Sequence, residues 1–156
     1  MLLSSGLRLG EALALRWEDL DFDRGRLSVR RTFVELSGHA EIGPTKTKGS
    51  RRMVELGALA IQALRRRKEQ AKGEDHESPL IFPTARGTPM LRSNLRRRHF
   101  EPILERAGLG HLRIHDLRHT STSIAIAEGV PARVVADRLG HSTVRLTQDR
   151  YAHVLP

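Results

Sequence analysis

Five side chains that can handle a phosphate group recur in short polar strings along this 156-residue chain. Arg8 lies in SSGLRLGE, while His115 and Arg118 lie in HDLRH. His141 ends the string LGH, and Tyr151 follows ten positions later. Cleaving a phosphodiester without metal or water requires an attacking side-chain oxygen, cations for the oxyanion and a proton donor for the leaving oxygen. These residue types predict a strand-cleaving site with a tyrosine nucleophile.

The charge of the chain predicts a nucleic-acid partner. The net charge is +9, and 23 arginines stand against four lysines. A GC-rich genome would explain the ratio of arginine to lysine equally well, but it leaves the net charge in need of a partner. Only 4% of residues are aromatic, so stacking on single-stranded bases is disfavoured and guanidinium contacts to duplex phosphates are favoured.

Length and composition predict one domain in a reducing compartment. The chain is long enough for a single hydrophobic core, and it contains no cysteine, which excludes disulfides and thiolate metal sites. The apolar start is interrupted by Arg8 and Glu11, so it is not typical of a signal peptide. We expect a cytoplasmic, DNA-associated protein without a membrane span.

Hydrophobic periodicity predicts helices around a small antiparallel sheet. A strand is expected over residues 26–35, broken by Gly38 and by Gly43 with Pro44, and an extended segment resumes over 51–56 with TKTKGSRR in the turn. The predicted helices cover residues 8–15, 58–72, 92–107, 115–128, 131–139 and 143–153. The run RRRH at 96–99 is either a solvated helix face or a phosphate contact.

Four ordered blocks identify the chain as a member of the tyrosine recombinase, or phage-type integrase, family by resemblance. They are SSGLRLGEALALRWEDLDF, TKTKGSRRMVEL, HDLRHT, and LGHS with TQDRYAHVLP. Each block alone is weak, but their order and spacing together are specific. The resemblance implies an α+β fold that is mainly α-helical, with helices packed around a three-stranded antiparallel sheet.

The resemblance also implies a role for each residue. Arg8, Arg118 and His141 resemble the groups that bind the non-bridging oxygens of the scissile phosphate. Tyr151 resembles the nucleophile that forms a 3′-phosphotyrosine link, and His115 resembles its base or hydrogen-bonding helper. No cofactor is implied.

The general acid for the 5′ oxygen falls in the second block, where two lysines lie close together. Lys46 is favoured because it is the first lysine of a KTxxSxR pattern, but Lys48 lies on the same face of an extended chain. Glu11, three residues after Arg8, is expected to orient the Arg8 guanidinium.

Three other interpretations compete. Each residue alone is more often structural, and Tyr151 in particular would more often be a packing residue. His111, His115 and His119 recur at helical spacing and suggest zinc, but the interleaved arginines disfavour a dication. The stretch GVPARVVADRLGHSTVRLTQDRY also has the rhythm of a helix-turn-helix, which would make the chain a non-catalytic DNA-binding regulator or an inactive integrase remnant.

The resemblance further implies that these residues form a catalytic domain truncated at both ends, without the separate N-terminal domain that clamps DNA. The partners expected are duplex DNA and, in a full-length protein, three further copies in a tetramer. We expect Arg8→Ala, Arg118→Ala and Tyr151→Phe each to abolish cleavage while leaving folding largely intact.

Overall fold

The structure is a computed structural model that describes residues 1–36, 39–45, 50–141 and 143–151. The α-helices of this part are α1 (Leu2–Ser5), α2 (Leu9–Leu13), α3 (Ala58–Ala71), α4 (Arg92–Leu95), α5 (Glu101–Arg106), α6 (Asp116–Ala127), α7 (Ala132–Leu139) and α8 (Val144–Tyr151). The strands are β1 (Leu20–Asp21), β2 (Arg26–Val29), β3 (Arg31–Leu36), β4 (His39–Pro44) and β5 (Arg52–Glu55). None of the described helices is both long and apolar enough to cross a membrane.

The predicted three-stranded antiparallel sheet is confirmed, in the order β1-β2-β5. Leu27 of β2 pairs with Val54 of β5, and both side chains are buried. They pack against Ala60 and Leu64, which repeat every four residues on one face of α3. The alternating pattern of the strand therefore places one face of the sheet against the main core.

The single strand predicted over residues 26–35 is wrong, because the chain leaves the first sheet at Arg30. β2 belongs to the three-stranded sheet, whereas β3 pairs with β4 in a separate two-stranded hairpin. Leu27 and Phe33 accordingly enter different hydrophobic clusters. Two cores, rather than one alternating pattern, decide where the strand divides.

The prediction that Gly43 and Pro44 interrupt extended structure is also wrong. Both lie within β4, and Pro44 occupies its last position, where a missing N–H costs the ladder least. The segment TKTKGSRR was predicted as a turn within one sheet, but it joins β4 to β5, which lie in different sheets. Gly38 and residues 46–49 are outside the described residues.

Helix prediction was more accurate, apart from two details. The helix expected over residues 92–107 contains a π-helical segment, Arg96–Phe100, between α4 and α5. Pro102 follows at once in α5; it cannot donate a backbone hydrogen bond, and its ring crowds the preceding turn, so a wider turn is accommodated there. The helix expected over 8–15 is shorter, and α1 precedes it without having been predicted.

Close packing fixes α2 on the β3–β4 hairpin. A β-carbon added to Gly10 would lie 2.7 Å from the carbonyl oxygen of Phe33 and 2.8 Å from the hydroxyl of Thr32. Only glycine allows this approach. At the other side, α1 lies against α6, and Ile126 of α6 packs on Val135 and Leu139 of α7. The start of the chain is thereby brought beside α6, which packs on α7.

Candidate active site

Arginine side chains from three distant segments converge on the C-terminal turn of α7. The carbonyl oxygens of residues 138, 139 and 140 receive Arg52 Nε at 2.6 Å, Arg118 Nη2 at 2.7 Å and Arg8 Nη2 at 3.5 Å, respectively. The end of a helix carries unpaired carbonyls and partial negative charge, so it attracts cations. The turn therefore gathers positive charge immediately before His141.

Gly140 allows this turn to form. Its backbone is left-handed, with φ of 66°, and it ends α7. A β-carbon at this position would lie 3.0 Å from Arg52 Nη1 and 3.3 Å from Arg52 Cζ. The glycine of the LGH string thus serves both the backbone conformation and the approach of a buried guanidinium.

Arg118 is buried, with 5% of its surface exposed. Besides the contact with Leu139, its Nη1 donates a hydrogen bond to the carbonyl oxygen of Gly6. Gly6 lies two residues before Arg8, and Leu139 lies two residues before His141. Arg118 therefore joins the two segments that carry these residues, while adding its own charge between them.

Arg8 is the exposed member of the group, with 42% of its side chain accessible. It precedes α2 in an extended conformation and forms a capping box with Glu11. Its backbone N–H donates to Glu11 Oε2 at 2.8 Å, and its Nη1 donates to Glu11 Oε1 at 3.0 Å. The expected contact between these two side chains is present, although Arg8 lies at the helix start and not on its face.

Sequence reasoning missed the main partner of Glu11, which is Arg52. Arg52 Nη1 and Nη2 lie 3.0 Å and 2.9 Å from the two carboxylate oxygens, in the paired geometry that a guanidinium and a carboxylate favour. Both side chains are almost fully buried. The signal was available, because Arg52 is the final residue of the KTxxSxR pattern that selected Lys46.

The environment of Glu11 keeps it ionised. Burial alone raises the pKa of this carboxyl, but the hydrogen bond and charge of Arg52, with the backbone contact and charge of Arg8, outweigh burial and hold the pKa below its usual value. Glu11 is therefore a fixed anion between two cations, and it is not suited to carry protons.

His141 is oriented by α8. Its Nδ1 lies 2.8 Å from the hydroxyl of Thr147, which is completely buried. Such a contact fixes the ring plane. From this turn the chain enters α8, whose last residue is Tyr151. The position of the Tyr151 side chain is outside the described part of the structure.

A cleft of about 290 Å³ opens beside Arg8. Its lining residues come from α2, the β3–β4 hairpin, α4 and the ends of the segment that follows β4: Arg8, Glu11, Thr32, Phe33, Val34, Thr45, Ser50 and Arg92. Thr45 and Ser50 directly flank residues 46–49, which include Lys46 and Lys48 and are outside the described residues. Both described neighbours of that segment thus face the Arg8 cleft.

His115 is the residue predicted to act as the base or as its hydrogen-bonding helper. It is exposed at the start of α6, one turn before Arg118, and its ring centroid is 4.8 Å from that of His119 in an edge-to-face arrangement. His111 precedes the helix, as predicted. In the described ranges, no three histidine or acidic side chains are grouped as metal ligands would be.

Comparison with known proteins places the chain in a family. The profile of the Phage integrase family matches residues 1–156. A XerC-like tyrosine recombinase of Caldanaerobacter subterraneus is 34% identical over 97% of this chain and 44% of its own length. The ICEBs1 integrase of Bacillus subtilis is 30% identical over 97% of this chain and 43% of its own length. The chain therefore spans less than half of these relatives.

Solved structures of recombinases have a similar fold. The Tn1549 transposon integrase, in complex with a circular intermediate DNA, matches 97% of this chain and 52% of its own with a TM-score of 0.83 and 25% identity. XerA recombinase matches 96% of this chain and 49% of its own with a TM-score of 0.79 and 23% identity, which shows the shared fold. The chain belongs to the Phage integrase family, and its fold is that of tyrosine recombinase catalytic domains.

The helix-turn-helix interpretation is not favoured. The family profile covers the whole chain and not only α7 and α8. Within the described structure, α7 also buries Val135, Ala136 and Leu139, and its end holds the arginine carbonyl contacts. This pair of helices is built into the candidate site.

Proposed function

We propose that this chain is the catalytic domain of a site-specific DNA recombinase that cuts and rejoins duplex DNA through a 3′-phosphotyrosine intermediate. The supporting observation is the meeting of Arg8 and Arg118 on consecutive carbonyls directly before His141. The same turn leads into the helix that ends at Tyr151. Cations held in place before the reaction are what a pentacoordinate phosphorus requires.

In the proposed cleavage step, the Tyr151 phenol oxygen forms a bond to phosphorus, and the bond from phosphorus to the 5′ oxygen breaks. The phenol proton passes to His115, or to a base that His115 assists. Lys46 donates a proton to the 5′ oxygen, which leaves as a hydroxyl. Rejoining is the reverse reaction, so the phosphotyrosine conserves the bond and no nucleotide cofactor is consumed.

Arg8, Arg118 and His141 would bind the non-bridging oxygens during both steps. Arg118 is held by two carbonyls, but a guanidinium has five N–H donors and its charge acts over several ångströms. Arg8 is exposed enough for direct contact with a phosphate. Their role is to stabilise charge and not to transfer protons.

Duplex DNA is the proposed partner, supported by the positive charge of the chain and by the likeness to an integrase solved on DNA. Exchange of strands between two sites would require four copies of the full-length protein on DNA, whereas this domain alone is proposed to carry the cleavage chemistry. Action on chromosomal or phage DNA would place the protein in the cytoplasm, at the nucleoid.

Covalent trapping on fragmented genomic DNA tests the proposal. The chain contains a single tyrosine, so Tyr151→Phe removes the only phenol and is an unambiguous control. We expect a protein–DNA adduct that survives denaturing electrophoresis with the unmodified chain and vanishes with Tyr151→Phe, and sequencing of the trapped DNA would give the target site. An adduct that persisted in Tyr151→Phe, or its absence from the unmodified chain on every DNA, would refute the proposal.

A matched pair of variants assigns the general acid. Lys46→Met and Lys48→Met are compared on the trapped sequence, once with the natural 5′ oxygen and once with sulfur in its place. A thiol has a pKa near 8.5 and leaves without protonation, so loss of the general acid matters less on the sulfur substrate. We expect a large defect on oxygen and its rescue on sulfur for Lys46→Met, whereas the same pattern in Lys48→Met would reassign the role.

A further inference from the structure

We infer that Arg52 is a positioning residue for this reaction, which sets the places of Arg8 and His141 without touching DNA. The inference rests on the proposed function. Arg52 is at the start of β5, in a sheet whose described strands contain none of Arg8, His115, Arg118, His141 and Tyr151. Its guanidinium nevertheless contacts α2, which follows Arg8, and the end of α7, which precedes His141.

The first of these links runs through Glu11. Arg52 Nη1 and Nη2 hold the two carboxylate oxygens at 3.0 Å and 2.9 Å. The same carboxylate accepts the backbone N–H of Arg8 at 2.8 Å and its Nη1 at 3.0 Å. A carboxylate fixed on one side by a buried cation presents a fixed anchor to the exposed cation on its other side. Movement of Arg52 would therefore be passed to the Arg8 guanidinium through one shared group.

The second link runs through the end of α7. Arg52 Nε donates to the carbonyl oxygen of Arg138 at 2.6 Å, and the guanidinium lies against Gly140. His141 is the next residue. The Arg52 side chain is only 6% exposed, so its guanidinium makes these contacts within the protein interior. It supports the turn from within, while the more exposed Arg8 contacts the carbonyl oxygen of Gly140.

These two links require the shape of arginine as well as its charge. Three nitrogens of one planar group contact a carboxylate and a carbonyl in different directions. A lysine ammonium is a single point of charge and does not reproduce the fork. Arg52→Lys is therefore informative, because it keeps the charge in the core and removes the geometry.

If the ion pair between Arg52 and Glu11 only stabilised the fold, an Arg52 variant would lose activity only by lowering the fraction of folded protein. A positioning residue makes a further prediction about the phosphate. Replacing one non-bridging oxygen of the scissile phosphate by a methyl group removes the negative charge that Arg8 is proposed to stabilise. If Arg52 acts through Arg8, this methylphosphonate reduces the defect of an Arg52 variant as it does that of Arg8→Ala.

The test measures single-turnover covalent complex formation on a duplex built on the trapped sequence, with each stereoisomer of the methylphosphonate compared with the phosphate. The proteins are the unmodified chain, Arg52→Gln, Arg52→Lys, Arg8→Ala and Arg51→Gln, at a temperature where circular dichroism shows each to be folded. Arg51 is the exposed neighbour of Arg52, so Arg51→Gln is the matched control for loss of one charge.

On the phosphate we expect Arg52→Gln to slow the reaction on the order of 100-fold, the scale of a small misplacement of catalytic groups. Arg52→Lys should be slowed about tenfold or more, and Arg51→Gln less than about threefold. On one methylphosphonate isomer, the defects of both Arg52 variants and of Arg8→Ala should shrink together. If Arg52→Gln does not fold, Arg52→Lys decides the question.

Two results would overturn the inference alone: Arg52 variants as active as Arg51→Gln, or a defect that the methylphosphonate leaves unchanged while it rescues Arg8→Ala. If the unmodified chain formed no adduct with any DNA, the proposed function would fail, and the inference would fail with it.

Discussion

The turn after α7 has a buried side and an exposed side, and arginines contact both. On the buried side, the Arg52 side chain is 6% exposed and the whole Arg118 residue 5% exposed, and they bind its carbonyls at 2.6 and 2.7 Å. On the exposed side, Arg8 has 42% of its side chain accessible, and its carbonyl contact is 3.5 Å long. Arginine side chains thus contact the turn after α7 both in the protein interior and at the surface.

This difference in exposure separates the arginines that hold the turn in place from the arginine that is available to contact a phosphate. A buried guanidinium must find fixed acceptors, because an unpaired charge in the interior is very costly. Arg52 and Arg118 have such acceptors and hold the turn in place. Arg8 is anchored by one carboxylate and still faces solvent, which is the arrangement of a group that can exchange water for a phosphate oxygen. The buried cations would supply preorganisation, and the exposed one the contact.

The largest effect on stability is expected when Glu11, the carboxylate that pairs with the buried Arg52, is neutralised. Glu11→Gln leaves the Arg52 charge buried without a carboxylate, which should lower the free energy of unfolding by about 3–5 kcal/mol. Chemical denaturation measures this change. Glu18→Gln is the control: Glu18 is 56% exposed and pairs with arginines at the surface, so its loss should cost less than about 1 kcal/mol. Equal effects would remove the distinction between the two sides.

The same variant predicts a change in pH dependence. The pKa of Glu11 is lower in the folded protein than its ordinary value of 4.5. A depressed carboxyl pKa contributes stability that is complete above the ordinary value and is lost as the pH falls through the folded value. The free energy of unfolding should be measured from about pH 6 to about pH 3, a range that brackets the ordinary pKa of a glutamate. It should fall less steeply with decreasing pH in Glu11→Gln than in the unmodified chain.

The second prediction contrasts the two arginines proposed to bind the phosphate. Arg118→Ala leaves the Gly6 and Leu139 carbonyls without their buried donor and should cost about 2–4 kcal/mol of stability. Arg8→Ala should cost less than about 1 kcal/mol. Both variants should lose cleavage. Thermal denaturation and covalent trapping on the same samples measure the two effects. An Arg118→Ala protein as stable as Arg8→Ala would contradict the conclusion that Arg118 holds the turn from the protein interior.

That contrast marks the limit of what the sequence predicted. Short strings predict Arg8, Arg118 and His141 as site residues, and in the structure the two arginines contact consecutive carbonyls directly before His141. The sequence also led us to expect intact folding for Arg118→Ala, because a string such as HDLRH carries no information on burial. Burial depends on α1, α6 and α7 meeting, which is a property of the whole fold.

Most helices and a small antiparallel sheet were predictable because their apolar positions recur with a fixed period, whereas the number of three strands was implied by the family resemblance. The division at Arg30 was not predictable, since residues 26–36 continue the same alternation across two sheets that face different clusters. Arg52 was missed for a related reason. It ends the KTxxSxR pattern beside a second arginine, and its contacts with Glu11 and Arg138, 41 and 86 positions away, form only in the folded chain.

The third prediction tests whether the turn needs the close approach of Arg52 to Gly140. Gly140→Ala places a β-carbon 3.0 Å from Arg52 Nη1 and forces alanine into a left-handed backbone. The left-handed conformation alone costs about 1–2 kcal/mol, so stability should fall by at least that amount. Gly129→Ala is a matched control, because it also has a positive φ but no atom within 4 Å of the added carbon. The difference between the variants, measured by denaturation, isolates the contact with Arg52.

The smallest effect is expected at His141, where the exposed side meets α8. Thr147→Val keeps the shape of a fully buried side chain but removes the hydroxyl that lies 2.8 Å from His141 Nδ1. Loss of one buried hydrogen bond should cost about 1 kcal/mol, whereas Gln148→Ala, an exposed neighbour on the same helix, should change stability by less than about 0.5 kcal/mol. Cleavage should fall on the order of tenfold in Thr147→Val, because the imidazole loses a group that fixes its ring while its chemistry is unchanged. A variant with reduced stability and full cleavage would show that the hydroxyl serves the fold alone, and His141 would then join Arg118 on the side of the turn where position is set by packing.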